Sequence, residues 1–382
     1  MEKLRFGIVG MGVQGSLYAA ILTGAPLPQL GVLPKPGNCV LTAVSSRSPE
    51  TAEKAAALGV KWFADWREMV NSDVCDAVII TVPHYLHHEV AIFAMEHGKH
   101  VLCEKPAGVR ASDVRKMLDA RGDRALGMIL NQRTNPLFRK LNAIVASGEM
   151  GQLRRSNWIC NAWWRPDSYY ASNAWRGTWA GEGGGVVVNQ LPHQLDLWLC
   201  LTGMPTQLYC LAKEGAWRDI GVENDVTVTT QYPGGATGVL VSCTHDPLGT
   251  DRLELDFDQG KILVEGSKKA TIYRFRQPEQ VWNQTVDHMQ MAYLAATPEK
   301  LYTVEELTAQ QGFGTAYTEI FENYAEHIIG GVPLIANGED GLRQVQLANA
   351  IQLSGWKNAP VAVPCDENEY DAWLQKRIDA ER

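Results

Sequence analysis

Residues 4–9, Leu-Arg-Phe-Gly-Ile-Val, form a short and mostly apolar run, followed at once by Gly10-Met11-Gly12-Val13-Gln14-Gly15 and then by Ser16-Leu17-Tyr18-Ala19-Ala20-Ile21-Leu22. The first run reads as a strand and the last as a helix, which leaves the glycines in the turn between them. The first glycine permits the tight turn, the second lets backbone approach a pyrophosphate, and the third allows close packing of helix on strand. The free N–H groups at the helix start then face the anion. A glycine turn can also serve packing alone, but the strand-to-helix context favours a dinucleotide site built on Gly10, Gly12, Val13, Gln14 and Gly15.

A second strand, 40–44, is reached through a proline- and glycine-rich stretch from Gly24 to Gly37 that reads as a surface insertion. An NAD-preferring site would place Asp or Glu at the end of this strand; here the chain reads Ser45-Ser46-Arg47-Ser48. The Ser46 hydroxyl and the Arg47 guanidinium suit a 2′-phosphate, so NADP(H) is favoured; NAD(H) remains possible if Arg47 lies in a solvated loop. The rhythm continues with a helix near 51–58, a strand 77–82, a helix near 88–96 and a strand 100–103. Continuous Val/Ile runs alternating with helices predict a doubly wound parallel sheet of the Rossmann type, covered on both faces. Two strand ends carry polar signals, Thr81-Val82-Pro83-His84-Tyr85-Leu86-His87-His88 and Glu104-Lys105-Pro106. Thr81, Pro83, His84, His87, Glu104 and Lys105 are therefore expected to line the cofactor. The three histidines open a helix without a ligand-like set of carboxylates or thiolates, so no metal is expected.

The 382 residues suit two domains, and with 45% hydrophobic and 20% charged residues the composition is that of a globular enzyme. Thirty-five basic and 43 acidic side chains give a net charge of −8, which argues against nucleic acid or an anionic membrane as partner. No apolar run approaches a membrane span and no signal-type stretch precedes the glycine turn, so the expected compartment is the cytoplasm. Eight scattered cysteines show no C-x-x-C pair and read as small buried hydrophobes.

The alternation changes near residue 130, giving expected domains at 1–130 and 131–382, with a helix near 340–355 able to pack back on the first. After a helix over 136–147, strands are expected at 153–159, 206–211, 225–231, 236–243, 252–258, 260–265 and 269–275. This meander predicts an α+β domain with a large, open, mostly antiparallel sheet. Five tryptophans lie between Trp158 and Trp179, beside Tyr169, Tyr170, Arg165 and Arg176. Aromatic rings with polar tips suit the faces and edges of a sugar, and of these Tyr169, Trp175 and Arg176 are the ligand candidates; packing or an interface would explain the others. Gly183-Gly184-Gly185 then leads into Val186-Val187-Val188-Asn189-Gln190-Leu191-Pro192-His193-Gln194-Leu195-Asp196. A helix starting near Leu191, capped by Asn189 or Gln190, would put His193 at its N-terminus, where the dipole keeps the imidazole neutral and able to accept a proton. Asn189, His193 and Asp196 fall at i, i+4 and i+7, roughly on one face. Asp196 is placed equally well as a group orienting His193 or as a structural residue.

The GMGVQG turn, the stretch TVPHYLHHEVAIFAMEHGKHVLCEKP and the later GGGVVVNQLPHQLD together resemble the Gfo/Idh/MocA family of nicotinamide-dependent oxidoreductases, over nearly the whole chain. The resemblance implies that Lys105 of the EKP tripeptide contacts the reacting hydroxyl and the nicotinamide region, that the Lys105–Pro106 peptide is cis, and that the second domain's sheet forms homodimers or homotetramers. An ammonium held rigidly at a strand end also suits a developing alkoxide on chemical grounds alone. In the family the catalytic pair is usually an Asp followed four residues later by His; here the first position is Asn189, which shifts proton transfer to His193 with Lys105 assisting. The expected reaction is hydride transfer at a secondary hydroxyl or keto group of a sugar, inositol or glycoside. Two alternatives are a redox-neutral glycosidase or lyase working through a transient 3-keto-glycoside, and a non-catalytic nucleotide-binding regulator.

Overall fold

The computed structural model describes residues 3–381. The chain forms two compact units, one of residues 1–134, 180–183 and 311–349, the other of 135–179, 184–310 and 350–382. Each is described by itself.

Among the described residues, the first unit holds six parallel strands, β1 (Leu4–Val9), β2 (Cys39–Ser45), β3 (Lys61–Phe63), β4 (Ala77–Ile80), β5 (His100–Cys103) and β6 (Leu126–Met128), in the order β3-β2-β1-β4-β5-β6. This is the doubly wound dinucleotide-binding order. All four residues of β4 are buried, as a strand covered on both faces requires. The helices are α1 (Val13–Thr23), α2 (Glu50–Ala57), α3 (Trp66–Asn71), α4 (His87–Glu96) and α5 (Ala111–Asp119). The unit also takes in the late helix Phe313–Gly330, which a single boundary at 130 assigns elsewhere. Its Tyr317, Ile320, Phe321 and Tyr324 join Phe6, Tyr18 and Leu102 in one apolar cluster, with the rings of Tyr18 and Phe321 5.3 Å apart edge to face. The proline-rich insertion is tied to the same helix, because the Thr318 hydroxyl donates to the Pro34 carbonyl at 2.6 Å.

The second unit is built on nine strands among the described residues: β7 (Leu153–Cys160), β8 (Gln207–Glu214), β9 (Glu223–Gln231), β10 (Thr237–Cys243), β11 (Asp251–Phe257), β12 (Gly260–Glu265), β13 (Lys269–Phe275), β14 (Tyr302–Thr308) and β15 (Val361–Ala362). Their order is β14-β13-β12-β11-β7-β10-β9-β8-β15, antiparallel except for the β7–β10 pair. One face buries Leu253, Leu255, Ile262, Val264 and Ile272. The other carries the cross-strand row Ile159, Val241, Thr227 and Leu211, of which Ile159 and Leu211 are exposed. Edge strands β14 and β15 have no counterpart in the sequence expectations.

Candidate active site

In the first unit, the glycine turn is held open by its own backbone. Gly10 adopts φ +97°, a conformation that favours glycine, and its N–H donates to the Ser45 carbonyl at 3.0 Å. A Cβ on Gly15 would stand 2.0 Å from the Gly10 carbonyl oxygen, whereas one on Gly12 would meet nothing within 4 Å. Helix α1 starts from Gly12 with no side-chain cap and no acidic residue in its first turn, and Val13 is 85% exposed. Uncapped amides beside open space fit a pyrophosphate. Ser46 and exposed Arg47 follow β2 directly, and β2 is the strand next to β1. They therefore leave the strand that neighbours the glycine turn.

Several residues expected to line the cofactor also hold this turn and the Lys105 loop. The Thr81 hydroxyl lies 2.6 Å from the Gly10 carbonyl oxygen and clamps the turn. Glu104 is buried and faces inward: one carboxylate oxygen accepts from the Tyr18 hydroxyl on α1, the other from the Lys105 N–H at 2.9 Å. Burial raises both the Glu104 carboxyl and the Tyr18 phenol above their ordinary values. His87 is also buried, with Nδ1 2.9 Å from the Pro106 carbonyl oxygen and Nε2 2.8 Å from that of Val82. Burial pushes its pKa down to about 4, so the ring is neutral and has one N–H to give to one of the two carbonyls. His84 is buried against the Glu182 carbonyl, at 3.1 Å. Pro83 remains exposed at the turn, Lys105 is half-buried, and the Lys105–Pro106 peptide is cis. Among the described residues, no three His, Cys, Asp or Glu side chains form a metal-binding group.

In the second unit, the glycine triplet leads into a π-helical turn, Val186–Gln190, which runs without a break into α6 (Pro192–Thr202). This corrects the expected capping. Leu191 has helical backbone angles and no side-chain cap, so neither Asn189 nor Gln190 caps a helix there. The helical start lies upstream, where one carboxylate oxygen of Glu223 accepts from the N–H of Gly185 at 2.9 Å and of Val187 at 3.3 Å. The first amides of this helical segment are thus met by Glu223 rather than by Asn189 or Gln190. Glu223 is buried, and burial raises its pKa to about 7. The Gln352 amide reaches the same oxygen at 3.3 Å and in turn accepts from the Tyr370 hydroxyl at 2.7 Å.

Within 186–198 every residue is buried except Asn189 and His193, one helical turn apart. Asp196, expected on the same face, is 2% exposed and belongs to the packed side. Asn189 Nδ2 donates to the Tyr169 hydroxyl at 3.1 Å, Gln190 Nε2 does so at 3.2 Å, and Arg176 Nη1 donates to the same oxygen. The Arg176 guanidinium lies between Tyr169 and Trp175, 4.3 and 4.6 Å from the ring centroids. The structure therefore brings Tyr169, Trp175, Arg176 and Asn189 together. Trp158 and Trp179 are buried in the unit, their indole N–H groups donating to Asp251 at 3.0 Å and to the Gly221 carbonyl at 2.8 Å. Sequence reasoning missed Gln190, Glu223 and Tyr18; only Gln190 carried a signal, its place beside Asn189.

Residues 4–126 match the family model described as an oxidoreductase family with an NAD-binding Rossmann fold, and residues 138–263 match the GFO/IDH/MocA C-terminal domain. The chain is 23% identical to the levoglucosan dehydrogenase of Pseudarthrobacter phenanthrenivorans, over 95% of this chain and 99% of that one. It is 43% identical to a Bacillus subtilis scyllo-inositol 2-dehydrogenase (NADP(+)), over 26% of this chain and 30% of that one. A solved levoglucosan dehydrogenase in complex with NADH and L-sorbose shares the fold with a TM-score of 0.77 at 19% identity, covering 96% of this chain and all of the other. On the two family models, this chain belongs to the GFO/IDH/MocA family and is a nicotinamide-dependent oxidoreductase.

Proposed function

We propose that this protein reversibly oxidises a secondary alcohol on a sugar-like or inositol ring. The carrying observation is the pair Asn189 and His193, the only residues of a helical stretch of thirteen that are not buried. A base and a neutral hydrogen-bond donor one turn apart on the open side of a rigid segment suit recognition and deprotonation of a ring hydroxyl. His193 takes the hydroxyl proton, Asn189 holds a neighbouring hydroxyl, and Asp196 steadies the helix from its packed side. Lys105, backed by the buried Glu104–Tyr18 and His87 contacts, presents an ammonium to the oxygen as negative charge develops. Tyr169, Trp175 and Arg176 offer ring faces and donors to the sugar. When bound, the dinucleotide supplies the hydride acceptor; Gly10, Gly12, Val13, Gln14 and Gly15 would hold its pyrophosphate, with Thr81 and Pro83 nearby. The relatives named for levoglucosan and scyllo-inositol support a ring alcohol as the substrate class.

Exposed Arg47 beside Ser46 supports NADP(H) as the favoured cofactor. The open sheet face bearing Ile159 and Leu211 supports a homodimer or homotetramer, which sedimentation velocity would read directly; a monomer at working concentration removes it.

The test is a panel of sugars, inositols and glycosides with NAD and NADP in parallel, following nicotinamide absorbance together with product release. Lys105→Ala and His193→Ala should each lower kcat by roughly 10²-fold or more while leaving cofactor affinity nearly unchanged. Near-wild-type turnover in either variant takes that residue out of the mechanism, and product without net nicotinamide reduction favours the redox-neutral alternative. Arg47→Ala should weaken NADP selectively; equal losses for both nucleotides sink the phosphate assignment.

A further inference from the structure

In a chain of net charge −8, the two arginines between β7 and the glycine triplet both lie against a single phenol. The Arg165 guanidinium lies 4.9 Å from the centroid of the Tyr169 ring and that of Arg176 lies 4.3 Å from it. Among the described residues, no carboxylate pairs with either. Of the two acidic residues of this segment, Glu182 is buried at its far end and Asp167 sits beside Arg218, at 3.7 Å. Two like charges on one ring repel, and the aromatic walls of Trp163 and Trp175 keep water from screening them fully.

The Tyr169 hydroxyl adds an independent sign. Its three partners, Arg176 Nη1, Asn189 Nδ2 and Gln190 Nε2, all donate to its oxygen, so with the amides as they stand its own O–H has no acceptor among them. The Nε–H groups of Arg165 and Arg176 are likewise buried without an acceptor. Donors are in excess here, and what would balance them is a compact anion. Guanidinium groups are the side chains best shaped for a planar carboxylate.

The geometry points to an anion subsite at Arg165, Arg176 and Tyr169 that selects a sugar acid. The Tyr169 hydroxyl at its edge is 3.1 Å from Asn189 Nδ2, so the acid group and a ring hydroxyl of a hexuronate can be engaged together. The substrate class rests on the oxidoreductase reading above, whereas the subsite itself is testable without turnover.

Isothermal titration of the protein saturated with NADP should show a hexuronate binding at least about tenfold tighter than its neutral hexuronamide isostere. Arg165→Gln and Arg176→Gln should each collapse that ratio toward one, with Arg165→Lys restoring part of it. Equal binding of acid and amide by the wild type overturns the subsite, as does tighter binding of a hexose 6-phosphate than of the hexuronate. Turnover assays on the same ligands separate the two readings. Acid preference in binding without any turnover leaves the subsite standing and ends the alcohol-oxidation reading; turnover of acid and amide with equal kcat/KM does the reverse.

Discussion

Two glycine-led helices in this molecule use the same sequence grammar to opposite ends. In the first unit Gly10–Gly15 opens α1 with its amides uncapped, no acid in the first turn and open space where a Gly12 Cβ would project. In the second, Gly184 and Gly185 open the π-helical turn and α6, and the amides at that start are already taken by the carboxyl group of Glu223. One helix start is left open; the other has been given an acceptor by the protein. Glycine marks a close approach of backbone in both cases, and only the surroundings tell whether the approaching group is foreign or native.

Substituting the glycines breaks the comparison at its sharpest point. Gly185→Ala places a Cβ 1.9 Å from the Glu223 carbonyl oxygen, and urea unfolding should show a loss of about 3 kcal/mol or more, because backbone cannot yield as a side chain end can. Gly12→Ala does the opposite. Its φ of −72° suits any residue and its Cβ meets no protein atom, so the thermal midpoint should hold while dinucleotide affinity falls by roughly a hundredfold. A fall in Tm with unchanged affinity would mean that the open space at Gly12 is not where the pyrophosphate lies.

The smallest effect is a tilt with pH, and its sign differs between the units. The Glu223 carboxyl rises from 4.5 to about 7 on burial, so the folded state binds more protons than the unfolded one in that window and stability falls as pH rises through it. The His87 ring drops from 6.5 to about 4, so the unfolded state binds more protons there and stability falls as pH drops. Glu223→Gln and His87→Asn should therefore tilt the stability curve in opposite senses, each by at most roughly 1.4 kcal/mol per pH unit. Unfolding curves at a series of pH values read this, and tilts of the same sign would refute the assignment of the two buried groups.

What was legible in the sequence followed periodicity and glycine. Strands β5, β12 and β13 lie where Val/Ile runs and turn residues put them, because each buries a regular set of side chains. Strand β14 was not legible, since an edge strand bearing Glu305 and Glu306 shows no apolar face to count. The helices Glu279–Thr285 and His288–Ala296 have no buried residues, so no periodic signal could form. At the site, chemical type singles out Tyr169, Arg176, Asn189 and His193, of which the first three meet in the structure. The partners behind them are not singled out. Glu104 adjoins Lys105 in sequence, and only the fold turns its carboxylate inward to Tyr18; Glu223 sits at the head of an ordinary strand and is joined to Gly185 only by the fold.

The late helix Phe313–Gly330 also bears on how the protein is made. It covers Phe6, Tyr18 and Leu102, yet it emerges from the ribosome only after residues 135–310 have done so. At about 5–20 residues per second, the nascent sheet waits on the order of ten seconds or longer with that greasy flank bare. A holdase that shelters it during elongation should raise the yield of folded enzyme more than one added after release.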